Sequence, residues 1–294
     1  MNRKKLLTGP YFFWAVAFIL IPLAMVLYYG LTDVDGHLTY ENLLAIGTVE
    51  NFKALCLSLL LSIVSTAICL LLAYPLAMIL SGMKVNQTSF IVLIFILPMW
   101  MNFLLRTYSW MSILENNGLL NQLFQQIGLI DLYNQIAMHF ASDPAAYVPI
   151  DHFQMIGTQG AVVLGMVYNY LPFMILPIYS VLVKLDHSLI EAARDLGASS
   201  VQVFRKVILP LSLPGVLSGI TMVFVPSVST FAISRLLGGG TQMMLGDLIE
   251  QQFLGGAYNP QLGAAIALVM MAIVVVCMLV MNRFGDGEEQ AVML

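Results

Sequence analysis

Charge is scarce in this sequence, so the places where it gathers are where chemistry must be sought. Of 294 residues, 60% are hydrophobic and 10% charged. Yet Glu191, Arg194, Asp195, Arg205 and Lys206, with Asp186 just ahead, crowd into one stretch between two long apolar runs. That stretch reads EAARDLGASSVQVFRKVILP, from Glu191 to Pro210. The familiar catalytic patterns are missing: there is no G-x-x-x-x-G-K-[ST], no H-E-x-x-H and no G-x-S-x-G. Gly238 to Gly240 follow an apolar run and read as a loop, not a phosphate cradle. His37, His139, His152 and His187 are scattered and read as solvated loop residues. Cys56, Cys69 and Cys277 lie in apolar runs without C-x-x-C spacing and read as buried thiols. An intramembrane enzyme would need a converging nucleophile and base, or a metal pair, and the sequence offers none. The charged stretch therefore points to docking rather than to bond-making.

Its local physics gives two short helices and a corner. Ser188 and Glu191 have the spacing of a capping box, predicting a helix from Leu189. Leu189, Ala192, Ala193 and Leu196 then share one apolar face, and Gly197 supplies a left-handed stop. Ser199 and Gln202 offer a second capping box, for a helix ending before Pro210. An apolar face of small alanines with a rim of mixed charge suits a protein groove. A helix lying in a lipid interface is the other physical reading, although it prefers bulky residues and a basic rim.

The elements that hold this stretch are membrane spans. Mean hydropathy is +0.88, and six runs approach the ~20 apolar residues that cross a bilayer. They are Tyr11–Leu31, Ala54–Leu80, Ser89–Leu114, Gly160–Leu182, Pro214–Leu237 and Gly263–Asn282. The fold expected is an all-α integral membrane bundle of six transmembrane helices in a single domain, residues 1–294, lying in a lipid bilayer. The first run exceeds a signal-peptide core and reads as a retained span. Prolines 22, 75, 98, 172, 177 and 226 inside the runs favour a transporter over a simple anchor. With both termini cytoplasmic, Arg3, Lys4, Lys5, Lys84, Lys184, Arg194, Arg205, Lys206 and Arg283 fall inside, nine of the twelve basic residues. The charged loop, 184–213, is then cytoplasmic, and the opposite loops are acidic. Asn117–Ile130 is too short to span and reads as a helix on the outer side, lying in the interface or capping the bundle. The weak net charge of −4 gives no reason to expect nucleic acid.

The pattern E-A-A, three residues, G, nine residues, I-x-L-P is that of permease subunits of ATP-binding-cassette importers. This chain resembles it with Glu191, Ala192, Ala193, Gly197, Leu209 and Pro210, and has Val207 at the usual isoleucine. Leu97–Phe124, Tyr168–Asp186 and the loop after the fifth run are similar to the B-type permease of spermidine/putrescine importers. The resemblance implies a type I ABC importer permease fold in a bacterial cytoplasmic (inner) membrane, and the loop as the coupling contact with the ATPase. It implies a homologous second permease, a dimer of ATPase subunits holding ATP and magnesium, and an extracytoplasmic substrate-binding protein. This chain itself would carry no cofactor. The solute implied is a polyamine moved inward by alternating access; another small cation, an amino acid or an oxyanion is the alternative. A polycation site needs carboxylates and aromatic faces. The candidates are Trp100, Tyr108, Trp110 and Tyr168 in the spans, with the acids either on a second permease chain or supplied here by Asp247 and Glu250 at the outer end of the sixth. Tyr168 and Tyr170 diverge by ~200° on a helix, so the two cannot face one path.

Overall fold

The computed structural model describes residues 9–83, 95, 97–140, 147–256 and 258–292. In chain order its principal helices are α1 (Pro10–Gly30), α2 (Val49–Ser81), α3 (Phe103–Leu114), α4 (Leu119–Gln126) and α5 (Leu129–Phe140). They continue as α6 (Gln159–Leu182), α7 (His187–Asp195), α8 (Ser200–Ser229), α9 (Ala232–Leu237), α10 (Leu245–Leu254) and α11 (Pro260–Val292). Among the described residues, regular structure outside helices is confined to one antiparallel bridge between Thr32 and Leu38. Among the described residues, five helices, α1, α2, α6, α8 and α11, are long and apolar enough to cross a membrane.

The third and fifth expected spans differ from the sequence reading. In the described part of Ser89–Leu114, a 3-10 turn at Leu97–Trp100 is followed by α3, which starts afresh. The Asn102 side chain accepts from the Leu104 amide at 2.8 Å, so a polar residue in an apolar run acts as a helix cap. Residues 84–94 and 96 of that run lie outside the described residues. The fifth span was expected over Pro214–Leu237. It begins instead at Ser200, stops at Ser229, turns extended at Thr230 and resumes as the short α9.

Pro210 does not end the helix through Val201, Phe204 and Ile208, because a π turn precedes it. Over Phe204–Ile208 the Leu209 amide donates to the Phe204 carbonyl five residues back. Proline has no N–H to give the carbonyl four residues earlier, and its ring crowds that carbonyl. A widened turn relieves the crowding and the helix runs on. The same device recurs in α1: a π turn at Val16–Leu20, with the Ile21 amide on the Val16 carbonyl, stands just before Pro22.

The core is a triple of α2, α6 and α8. Val162, Met166, Met174, Ile175 and Ile178 of α6 meet Cys69, Ala73, Ala77 and Leu80 of α2 and Val216 and Val223 of α8. Lipid tails are as apolar as these side chains, so close packing rather than transfer from water must hold them. Gly215 and Gly219 of α8 allow it. A Cβ on Gly215 would lie 2.9 Å from the Pro177 carbonyl, and one on Gly219 3.2 Å from that of Met174. A buried 2.6 Å hydrogen bond between the Tyr74 hydroxyl and Ser212 Oγ ties α2 to α8. α11 packs on α1 and α10, and Leu245, Leu248 and Ile266 form a second cluster with Ile46 and Ala54.

The helix expected over Asn117–Ile130 is two helices, α4 and α5. Gly128, at φ 72°, divides them, and the second continues to Phe140. Asn121 holds α4 in place by donating to the Phe153 carbonyl at 3.0 Å and accepting from the Phe153 amide at 2.9 Å.

Candidate functional site

The charged stretch folds as a capped corner. Asp186, not Ser188, caps α7: its side chain accepts from the Ser188 amide at 2.9 Å. That amide holds the Asp186 carboxyl below its ordinary range. A carboxylate is the stronger acceptor at the positive end of a helix. It moves the helix start two residues earlier, and Glu191 then sits too far along to reach back. The expected Ser188–Glu191 box is therefore not formed. At the other end of α7, Gly197 takes φ 81°. Its amide donates to the Arg194 carbonyl at 2.8 Å and the Ala198 amide to that of Ala193 at 3.1 Å, the paired closure of a Schellman motif. The second capping box is present, with Ser199 N–H on Gln202 Oε1 at 2.8 Å and Gln202 N–H on Ser199 Oγ at 3.4 Å.

The backbone of this corner is satisfied, but its side chains are not covered. α7 buries no residue. Glu191 and Ala192 are exposed and Ala193 half-buried, and Leu196, beside Gly197, is 89% exposed. Leu189 and Val201 stand out as well. Among the described residues, no ion pair involves Glu191, Arg194 or Asp195. Glu191, Ala192, Ala193 and Gly197 thus come together on one exposed corner. Leu209 and Pro210 lie farther along α8, past the π turn.

The structure divides the aromatic set. Trp110 and Tyr168 meet edge to face, ring centroids 5.3 Å apart. Trp100 lies on the 3-10 turn, 76% exposed, and Tyr108 points away from Trp110 and is half-exposed. Tyr170 is buried elsewhere, donating to the Pro226 carbonyl at 3.3 Å. The divergence expected of Tyr168 and Tyr170 is observed.

Asp247 and Glu250 are not on the last span; they belong to α10, a separate helix ahead of it. The loop before α10 is tied to the start of α6: the Gly157 amide donates to the Leu237 carbonyl at 2.8 Å, and Thr241 Oγ1 to the Gly157 carbonyl at 3.0 Å. The other end of α6 leads into α7, so α10 and the charged corner stand at opposite ends of the bundle. Asp247 is 6% exposed. Its Oδ2 accepts from the Met244 amide at 2.8 Å, and its Oδ1 has no hydrogen-bond partner. Burial pushes this carboxyl above its ordinary range, against the pull of the Met244 amide and the nearby Ser234 hydroxyl. Glu250 pairs with Arg235 at the end of α9. Asp247, Glu250, Arg235, Gln242 and Gln251 line a pocket of about 150 Å³.

Two arginines absent from the candidates above are placed by the fold. Arg106 of α3 is 8% exposed, and its Nε and Nη1 lack hydrogen-bond partners. The available signal is an ionisable residue inside the apolar run Ser89–Leu114. Arg235 also falls inside an expected run, Pro214–Leu237, but its partner is fifteen residues away on another helix, so the pairing shows only in the fold.

Residues 3–287 match the family model described as "binding-protein-dependent transport system inner membrane component". The chain is 34% identical over 286 residues to the spermidine/putrescine transport system permease protein PotB of Haemophilus influenzae, covering 94% of this chain and 93% of that protein. It is 33% identical to PotB of Escherichia coli K12, over 92% and 93% of the two chains. It shares its fold with a chain of a bacterial ABC transporter that imports the acidic polysaccharide alginate. There the TM-score is 0.76 at 15% identity, over 96% of this chain and 94% of that one.

Proposed function

The chain belongs to the family of binding-protein-dependent transport system inner membrane components, and we propose that the solute it passes is a polyamine, spermidine or putrescine. As a member it is a multi-pass inner-membrane permease subunit that works with an ATPase and a substrate-binding protein, not an enzyme in its own right. The finer reading is ours. Both termini face the cytoplasm; the permease pairs with a homologous second permease; ATP and magnesium bind two copies of the ATPase. Those subunits close on ATP and draw the α7 corners together, and the path opens outward to take solute from the binding protein.

The polyamine reading rests on likeness across 94% of the chain to a permease named for spermidine and putrescine. The carboxylates Asp247 and Glu250 at the end opposite α7 support it. Trp110 on Tyr168 offers an aromatic face for a cation; Trp100 and Tyr108 remain candidates from separate positions. The coupling role of Glu191, Ala192, Ala193 and Gly197 is supported by their exposure on one rigid corner.

One observation favours a second reading. Arg106 is a buried guanidinium with unpartnered nitrogens in a subunit assigned a cationic cargo. A solute with an anionic group would answer it. Uptake by the complete importer in proteoliposomes, with spermidine, putrescine, an amino acid and sulfate offered in turn, separates the two. Polyamine uptake that depends on ATP and binding protein is the expected outcome. Uptake of an anionic solute with none of either polyamine would overturn it and favour the Arg106 reading.

A further inference from the structure

We propose that the pocket between α9 and α10 is a subsite for one alkylammonium group of the solute, and that Arg235 is its resting occupant, a tethered cation which the solute displaces from Glu250. The inference rests on the cationic-solute reading above. Two carboxylates and one guanidinium line the pocket, with the amide side chains of Gln242 and Gln251 beside them. The charges do not balance: Arg235 serves Glu250, and Asp247 is left with an unpartnered Oδ1. A carboxylate withdrawn from water with a bare oxygen is costly until a donor reaches it. Asp247 is 6% exposed and holds that oxygen in place through the Met244 amide on Oδ2.

The pair itself is unequal. The Arg235 side chain is 64% exposed and that of Glu250 18%. The carboxylate belongs to the pocket, whereas the guanidinium reaches it from solvent on a flexible stem. A planar guanidinium engaged on Glu250 directs its donors in one plane, while an ammonium carries three rotatable donors on a compact charge. Asp247 and Glu250 are three residues apart on α10 and both line the pocket, so an ammonium placed between them would serve both carboxylates. Exchange of one cation for another keeps Glu250 paired throughout. The solute gains its extra hold from Asp247, and on departure Arg235 closes the site behind it.

The test uses the importer assembled with its second permease and ATPase. Equilibrium binding of radiolabelled spermidine is measured in lipid nanodiscs, and uptake in proteoliposomes with saturated binding protein. Arg235→Gln should tighten spermidine binding about two- to fivefold, the worth of a half-exposed ion pair. Glu250→Gln should weaken it about tenfold or more. In the Glu250→Gln background, Arg235→Gln should change nothing further, and Arg235→Lys alone should resemble the wild type. Should Arg235→Gln fail to assemble, agmatine, an amine ending in a guanidinium, should compete with spermidine on the wild type at least as well as putrescine does. The subsite is overturned if Arg235→Gln leaves binding unchanged or weaker, if its effect persists without Glu250, or if agmatine does not compete. Spermidine uptake that continues alongside any of those results leaves the cargo reading standing. Absence of all polyamine uptake by the wild type overturns both.

Discussion

The α7 corner and the α9–α10 pocket stand at opposite ends of α6 and α8, and they are finished in opposite ways. At the corner, the backbone is closed by an aspartate cap, a Schellman motif and a capping box, while the apolar Leu196 and the charged Glu191, Arg194 and Asp195 face outward. At the pocket, the charged side chains turn inward, on each other or on buried amides. A rigid backbone with uncovered side chains is a surface awaiting another protein. A buried carboxylate with a spare oxygen awaits a small cation. The difference separates where this subunit receives force from where it handles charge.

The largest effect expected from breaking this contrast is at Gly197. Proline cannot take φ 81°, so Gly197→Pro should reduce uptake to background while the protein still inserts. No atom lies within 4 Å of a Cβ at this position. Gly197→Ala therefore meets only the left-handed backbone cost of ~1–2 kcal/mol and should keep partial uptake. Normal transport by the proline variant would remove the corner from the coupling role. Next comes Leu196→Asp. Burying a leucine is worth ~1.5–3 kcal/mol, so ATPase association should weaken about ten- to hundredfold in co-purification. The melting temperature of the isolated permease should stay put, because the side chain is exposed there. A fall in melting temperature with association intact would mean that the residue serves the chain's own fold.

The pocket end should respond in the reverse manner. Gly246 abuts the Thr230 carbonyl so closely that a Cβ would overlap it. Gly246→Ala should destabilise the permease by ~1–3 kcal/mol, read as a lower melting temperature, and spare ATPase binding. Loss of ATPase with unchanged stability would erase the contrast between the two ends. The smallest effect concerns Asp186. Its carboxyl is held below the ordinary range, so its contribution to the α7 cap is present above that range and fades as pH falls through the lowered value. Protection of the Ser188 to Ile190 amides, taken as exchange relative to the unstructured chain at the same pH, should fall as the solution is acidified. Asp186→Asn, a comparable cap without the titration, should lose that dependence. Protection indifferent to pH in the parent protein would show that Asp186 does not hold the cap.

The local chemistry of the corner was readable from single residues. Gly197 and the Ser199–Gln202 box needed nothing beyond their own neighbours in sequence. Ser188 misled because it was judged alone; Asp186, two residues earlier, is the better acceptor and sets the start. Pro210 misled for a different reason. Apolar periodicity presumes four-residue hydrogen bonding, and the five-residue turn before Pro210 lies outside that premise. The breaks at Asn102 and Thr230 hid inside apolar runs, since hydropathy averages across a single capping residue. Asp247 and Glu250 were found by their charge, but their helix was taken for the end of a span. The Arg235 pairing was beyond reach, because only the fold brings α9 against α10.

The unbroken run of α8 has a mechanical meaning. Its 30 residues from Ser200 to Ser229, at 1.5 Å each, make a rod of about 45 Å, against a hydrocarbon layer of about 30 Å. The rod starts at the capping box beside Gly197 and stops at Thr230, whose carbonyl rests on Gly246 of the pocket helix. Had Pro210 ended the helix, a hinge would sit between the two. With the π turn carrying the helix past it, a tilt of about 5° at the corner sweeps the far tip through roughly 4 Å for a rod of that length. That is a lever arm reaching from one surface to the pocket helix, its helix continuous through Pro214 and Pro226.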